Sequence, residues 1–451
     1  MPGPAFPEGQ AEPALPASPL QALIDRTPIT ALQLRVVLLC ALVTLVEGVD
    51  LNLIPLLAPA IAQDWQLPSA AFGAIFSSGP VGLIAGGLGI GWLADRIGRR
   101  NALIAAMVLM TLPTIATAFV TNVPQLLVCR ILTGIGFGGV VPAAAALVSE
   151  FLPSRMRASV VAFVILGQAV GGLVAALGMQ TSIGAYGWQT LILWMGILCV
   201  ATTALIFVLL PESPRYLLLR HPGSPRLEQT LARLRLTEAP APEADPHGTG
   251  RGSLRALFTE RRASGTLLLW TVFIGVCAAV SFFTSWLPLI FNYAGRSSFE
   301  AARVASAYWA GGIVSGIGLP LFALRWNVNW VLLGAILAAA ICAIGQGITI
   351  HGGMATNLAL AFVCGMFVNG SFYLLYPPAV RFYPTEIRST GIGAAVAFGR
   401  IGNVLSPLAA SVLLEMKASP ATVFVVMAVP LALSAVALAA FHFRSGSAAA
   451  E

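Results

Sequence analysis

The sequence predicts an all-α membrane protein, with twelve transmembrane helices arranged in two six-helix bundles. Three observations carry that expectation. Apolar stretches of spanning length recur along the whole chain, basic residues occupy alternate connections, and a segment of the first half returns in the second.

Of 451 residues, 57% are hydrophobic and only 10% are charged, with a mean hydropathy of +0.86. A soluble domain of this length needs a larger charged fraction to cover its surface, so these apolar residues must face lipid. About 20 helical residues cross a ~30 Å hydrocarbon core. Runs of that length lie near 36–62, 71–93, 101–120, 124–149, 158–180 and 189–210, then near 264–290, 302–324, 328–349, 356–380, 390–414 and 420–442. They divide the chain into a tail (1–35), a first bundle (36–210), a linker (211–263), a second bundle (264–443) and a tail (444–451). Residues 1–30 are rich in Pro, Ala and Gln and show no basic n-region before an apolar run, so they read as a cytoplasmic tail rather than a cleaved signal. The linker is Pro-rich and charged, with one amphipathic helix near 225–236.

The connections test the spans independently. Arg26 and Arg35, Arg96 to Arg100, Arg155 and Arg157, the run from Arg215 to Arg262, Arg325, Arg381 and Arg388, and Arg444 fall in every other connection, all on one side of the spans. The connections near 63–70, 121–123, 181–188 and 350–355 hold no Lys or Arg; Arg296, Arg303 and Lys417 are the exceptions. The positive-inside rule then puts both termini and the linker in the cytoplasm.

The net charge of +7 comes from arginines scattered between apolar runs, not from one basic stripe, which argues against nucleic acid. The six cysteines show no CxxC and no histidine at ligand spacing, so they read as free thiols, with neither disulfide nor metal site. No nucleophile–base set appears and the linker is too short for a catalytic domain, so an enzyme is not expected.

FLPSRMRAS (151–159) and FYPTEIRST (382–390) match at an offset of 231 residues. The same offset pairs Gly134 with Gly365, Gly139 with Gly370, and Gly171 with Gly402. Repeats at half-chain spacing are expected of two bundles related by an axis along the membrane normal. The glycine-rich runs 79–91 and 134–142 lie inside apolar spans, where close helix packing explains them better than a nucleotide loop.

GWLADRIGRR (91–100) resembles the loop motif of the major facilitator superfamily, which implies the major facilitator fold and a cytoplasmic charge latch. On that resemblance the gating residues are Gly91, Asp95, Arg96, Arg99 and Arg100; Glu150 with Arg155 or Arg157, and Glu386 with Arg388, lie at the same cytoplasmic end and read as latch or interface pairs. The second half has FALRWNVNW (322–330), with Leu324 in place of the acid, so the latch is expected on one side only. RILTGIG (130–136) resembles the fourth-helix motif whose arginine is linked to proton coupling, and PESPRYLL (211–218) resembles the segment closing the first half of sugar and organic-acid porters. EGVDLNLIPLLAPAI (47–61), SWLPLIF (285–291) and YPTEIRSTGIGAAVAFGRIGNVLSP (383–407) resemble the aromatic acid/proton symporter family. Asn369-Gly370-Ser371 stands where that family often has a Gly-Gln pair.

An ionised side chain at mid-bilayer costs at least ~2.5–3.5 kcal/mol, so its presence marks function. Glu47 and Asp50 lie in the middle of the first span, three apart and on one helix face, as candidates for holding a proton. A structural ion pair with an arginine is the competing reading. Arg130 joins them through its motif, with snorkelling to the outer surface as the alternative. Arg400, mid-span in AFGRIGN, suits a substrate carboxylate in two-point contact, or else a permanent partner for Asp50 or Glu47. Gln168, Asn369, Tyr373 and Asn403 are candidate cavity-lining residues, and Phe282, Trp286, Tyr308 and Trp309 a candidate apolar wall.

These readings lead to the expectation of a proton-coupled secondary carrier importing a small organic anion, an aromatic or related carboxylate. It would draw on the proton gradient without a cofactor and work as a monomer in a bacterial inner membrane. The alternative is a carrier of a neutral sugar-like solute or a drug, including efflux.

Overall fold

The computed structural model describes residues 19–236, 254–259, 262–384 and 387–447. A short amphipathic helix, α1 (Pro19–Arg26), precedes α2 (Ala31–Trp65). The first bundle continues with α3 (Ser69–Ile97), α4 (Arg99–Thr117), α5 (Val123–Phe151), α6 (Ser154–Tyr186) and α7 (Trp188–Leu209). The linker holds α8 (Pro214–Arg220), α9 (Pro225–Arg233) and a 3-10 turn, Leu254–Phe258. The second bundle is α10 (Ala263–Tyr293), α11 (Ser298–Ala323), α12 (Val328–Ile348), α13 (Met354–Tyr373), α14 (Tyr376–Phe382), α15 (Arg388–Glu415) and α16 (Pro420–Ser447). Taking α13 and α14 as one crossing, twelve helices among the described residues are long and apolar enough to span a membrane.

Local chemistry explains where the elements begin and break. At the start of α2 the Gln33 amide donates to Thr30 Oγ1 while Thr30 N donates to Gln33 Oε1, a capping box that starts the helix five residues ahead of the expected 36. Gly98 separates α3 from α4 at φ +97°, and a side chain there would also collide with Glu212, so the position needs glycine twice over. The tenth span, expected as one run, is broken between α13 and α14 because Pro377 and Pro378 have no amide hydrogen to continue the ladder.

The two halves pack alike. A Cβ on Gly134 would overlap the carbonyl of Gly79, and one on its counterpart Gly365 would overlap that of Tyr308. Gly171 meets the Leu45 carbonyl as Gly402 meets that of Ile274, and Gly139 meets Ile90 as Gly370 meets Leu319. In lipid, where no hydrophobic force draws helices together, such small-residue contacts let backbones approach closely enough for dispersion to hold them.

Between the bundles, α3 faces α15 and α6 faces α11. Along the first pair, Gly73 packs on Ser411, Ser77 Oγ donates to the Val404 carbonyl at 2.7 Å, and Arg400 reaches Leu83 and Gly87. Along the second, Gln180 donates to Ser306 Oγ at 2.7 Å, Gly172 packs on Trp309, and Leu166 on Gly316. These contacts run from the middle of the molecule to the end away from the termini. Continuing the same faces toward the terminal end, Gly91 on α3 and Gly393 on α15 are exposed, and a Cβ on either would meet nothing within 4 Å. The bundles are thus closed at one end and parted at the other, leaving a cleft that opens beside the termini.

Candidate functional site

Asp50 and Glu47 lie one turn apart on α2 and are 0% and 1% exposed. Asp50 Oδ2 accepts a 2.7 Å hydrogen bond from Thr114 Oγ1 of α4, and its Oδ1 lies 3.9 Å from Nη1 of Arg130 on α5. Arg130 is 5% exposed, with its guanidinium 5.8 Å from the Phe137 ring centroid. The snorkelling alternative is therefore corrected: in a helix this deep in the bundle, a carboxylate is nearer than the surface. Glu47 differs from Asp50 in having no cation beside it; its polar neighbour is the Gln168 side chain, outside good hydrogen-bond geometry. Gln168 of α6, expected to line a substrate cavity, stands beside Glu47, because Gly48 lets α2 approach the Gln168 backbone closely. Sequence reasoning missed Thr114; a threonine beside Pro113 in an apolar span gives no signal of its own.

Arg400 occupies the middle of α15, on the face turned to α3. Its Nη1 donates to the main-chain carbonyl of Leu83 at 2.6 Å, and an alanine methyl at Gly87 would lie 2.6 Å from the same nitrogen. The guanidinium is partly exposed, and no Asp or Glu among the described residues lies within ion-pair distance of it. Its electrostatic neighbours are Tyr376 and Cys277. The reading of Arg400 as permanent partner to Asp50 or Glu47 is thus overturned, Arg130 holding that place. Arg400 marks the boundary where the closed contact ends and the cleft begins, so an anion in the cleft can reach it.

The other predicted lining residues divide. Tyr373 is partly exposed, with its ring 3.3 Å from a Cβ built on Gly316, near the inner limit of the α6–α11 contact. Asn403 is partly exposed beside Arg400 in sequence, and its carbonyl accepts from Ser281 Oγ at 2.9 Å. Asn369 is buried, donating to the Gly365 carbonyl at 3.0 Å, and packs on Gly312. Phe282, Trp286 and Tyr308 are fully buried packing residues, and Trp309 alone of that apolar wall is part-exposed, against Gly172.

At the terminal end, Asp95 is largely exposed and pairs with Arg99 at 3.2 Å; Arg99 Nε also donates to Glu150 at 3.1 Å. Glu150 bonds Ser213 of the linker as well. The expected pairing of Glu150 with Arg155 or Arg157 does not form, because α6 carries those arginines away from the end of α5; Arg157 instead donates to Gln21 at 2.5 Å. Arg100 donates through its side chain to the carbonyls of Leu210 and Phe207, and Arg96 lies 3.8 Å over the Trp92 ring. Arg388 Nε donates to the Tyr383 carbonyl at 3.2 Å, while Glu386 lies outside the described residues.

Two further groups had no place in the sequence reading. Glu212 accepts from the amides of Arg100 at 3.0 Å and Ser213 at 2.9 Å, tying the linker to the α3–α4 loop. Burial holds its carboxyl above the ordinary range, with those amides and the Arg100 charge pulling the other way. Asp25 of α1 accepts from the amide and hydroxyl of Ser154, both at 2.7 Å, and so caps α6. Desolvation pulls the Asp25 carboxyl up, but the Ser154 bonds, Gln21 and Arg157 together hold it below its ordinary value.

A family model, that of the Major Facilitator Superfamily, matches residues 40–380. The chain is 34% identical over 442 residues to the 4-hydroxybenzoate transporter PcaK of Pseudomonas aeruginosa, covering 94% of this chain and 96% of that one. To the gallate transporter of Pseudomonas putida it is 31% identical over 422 residues, covering 92% and 93%. Among solved structures, the inward open conformation of the xylose transporter XylE from E. coli matches with a TM-score of 0.71 at 16% identity, over 91% of this chain and 96% of that one. At that identity the likeness speaks to the fold alone.

Proposed function

The chain belongs to the major facilitator superfamily, a multi-pass transporter and not an enzyme, and from that premise we propose proton-coupled import of an aromatic carboxylate by alternating access. The observation that carries the reading is Arg400: a cation at mid-membrane depth, at the inner limit of the cleft, with no carboxylate partner among the described residues. A permanent charge is kept in such a place only where a counter-ion visits it. A guanidinium meets a carboxylate through two parallel hydrogen bonds, and part-exposed Tyr373 and Trp309, at the contact of α11 with α6, are aromatic surface for a ring. The relatives named for 4-hydroxybenzoate and gallate transport support the same cargo class.

The basic connections gather at the terminal end, so in this reading the termini are cytoplasmic, in a bacterial inner membrane, and the cleft faces inward. Each chain holds both bundles and so works as a monomer. No cofactor is needed, the proton gradient supplying the work. Asp50 already has a cation and a hydroxyl as partners, whereas Glu47 has only the Gln168 side chain beside it, so a proton arriving at Glu47 removes a buried charge that has no counter-ion. Protonation drives transport only by changing the relative stability of the outward- and inward-open forms.

Cargo binding tests the reading. The purified protein is expected to bind 4-hydroxybenzoate but not its uncharged amide, and Arg400→Ala to weaken the acid roughly tenfold or more, as loss of a charged hydrogen-bonded pair requires. Equal affinity for acid and amide, or full affinity in Arg400→Ala, would make Arg400 a structural residue and return the cargo to the neutral class.

A further inference from the structure

We infer that Arg400 is a hook shared between the protein and its cargo: in the empty carrier it holds the two bundles together through the Leu83 carbonyl, and the substrate carboxylate takes it away. The inference rests on the cargo reading above and adds a means by which cargo changes the conformation.

Arg400 stands on α15 of the second bundle and Leu83 on α3 of the first, so their 2.6 Å hydrogen bond crosses between the bundles. Of the α3–α15 hydrogen bonds among the described residues it lies nearest the termini; beyond it, toward the termini, Gly91 and Gly393 face open space. Outward from it follow Ser77 to Val404 and Gly73 to Ser411. The hook therefore sits where the closed seam would begin to part. The Leu83 carbonyl lies in the interior of α3, with a second lone pair free for the guanidinium beyond the bond from its own helix. Gly87, one turn on, makes the approach possible, since its missing methyl is where Nη1 and Nη2 lie, 2.6 and 3.3 Å away.

A neutral carbonyl is a weaker acceptor for a guanidinium than a carboxylate, which carries a full charge and offers two oxygens at fork spacing. An acid entering the cleft competes for Nη1 and wins. The seam then loses one charge-assisted bond, which shifts the balance between seam-closed and seam-open forms by roughly tenfold. Because the empty carrier must give up the hook to bind, its apparent affinity is lowered by the same factor.

The test labels a Ser77→Cys reporter, in a background with the six native cysteines replaced, using an impermeant thiol reagent from the side away from the termini. In the empty carrier, Gly87→Ala displaces only the tip of the arginine, and the reporter is expected to react about tenfold faster than in the wild type. The same variant should bind 4-hydroxybenzoate several-fold more tightly. Arg400→Ala should label as fast as Gly87→Ala but lose binding. Wild-type labelling rates in Gly87→Ala, or faster labelling in Arg400→Ala alone, overturn the hook. If the wild type binds no aromatic acid the cargo reading fails, and the cargo-free labelling rates still decide the hook.

Discussion

Two carboxylates three residues apart, Glu47 and Asp50, sit in surroundings that divide their roles. Asp50→Asn leaves Arg130 as a buried cation without a counter-charge, so it should lower thermal stability as well as abolish uphill uptake; orphaning one partner of a buried pair costs about 3–5 kcal/mol. Glu47→Gln orphans no cation and should abolish uphill uptake with little loss of stability. Melting temperature and gradient-driven uptake on both variants check the difference; equal destabilisation would contradict it. The depth of both acids, and of Arg400, was legible in the sequence because charges are expensive in lipid. Their partners were not. Arg130 lies 80 residues from Asp50, and only the packing of α2 on α5 shows that it turns inward. Nor could spacing show that Arg400 meets a main-chain carbonyl, since a carbonyl has no sequence signature.

Among helices, the legible part was periodic and apolar, and the illegible part was set by single polar atoms. All twelve spans were read from length and hydropathy, and the paired glycines from the 231-residue repeat. The break before α14 and the docking of α1 were missed, one set by two prolines and the other by a carboxylate reaching across to Ser154. Gly134→Val and Gly365→Val should each destabilise the protein strongly, because both Cβ positions collide with backbone, whereas Gly393→Ala should leave the melting temperature unchanged. At α1, the Asp25 carboxyl sits below its ordinary value, so its contribution is present above about pH 4 and fades as pH falls through the lowered value. Asp25→Asn should therefore lower stability at neutral pH, and the gap from the wild type should close in acid; a gap unchanged by pH would place the effect elsewhere than in the charge.

In the molecule as a whole, the terminal end is parted and the opposite end closed, which in the proposed alternating-access reading is the inward-open form. Introduced cysteines at Gly91 and Gly393 should react readily with a thiol reagent from the terminal side, while one at Ser77 stays protected until cargo arrives. The charge network of Asp95, Arg99, Glu150 and Glu212 belongs wholly to the first bundle and its linker, and the matching loop of the second carries Leu324 instead of an acid. The sequence motif announced Asp95 and Arg99, but only the fold brings in Glu212 and shows that Glu150 turns to Arg99 rather than to the arginines that follow it. Proton-driven carboxylate transport through Arg400 is best tested by uptake of radiolabelled 4-hydroxybenzoate into proteoliposomes, with and without an acid-outside gradient. Accumulation that requires the gradient, and is lost in Arg400→Ala, is the expected result. Accumulation without the gradient, or undiminished in Arg400→Ala, would contradict it.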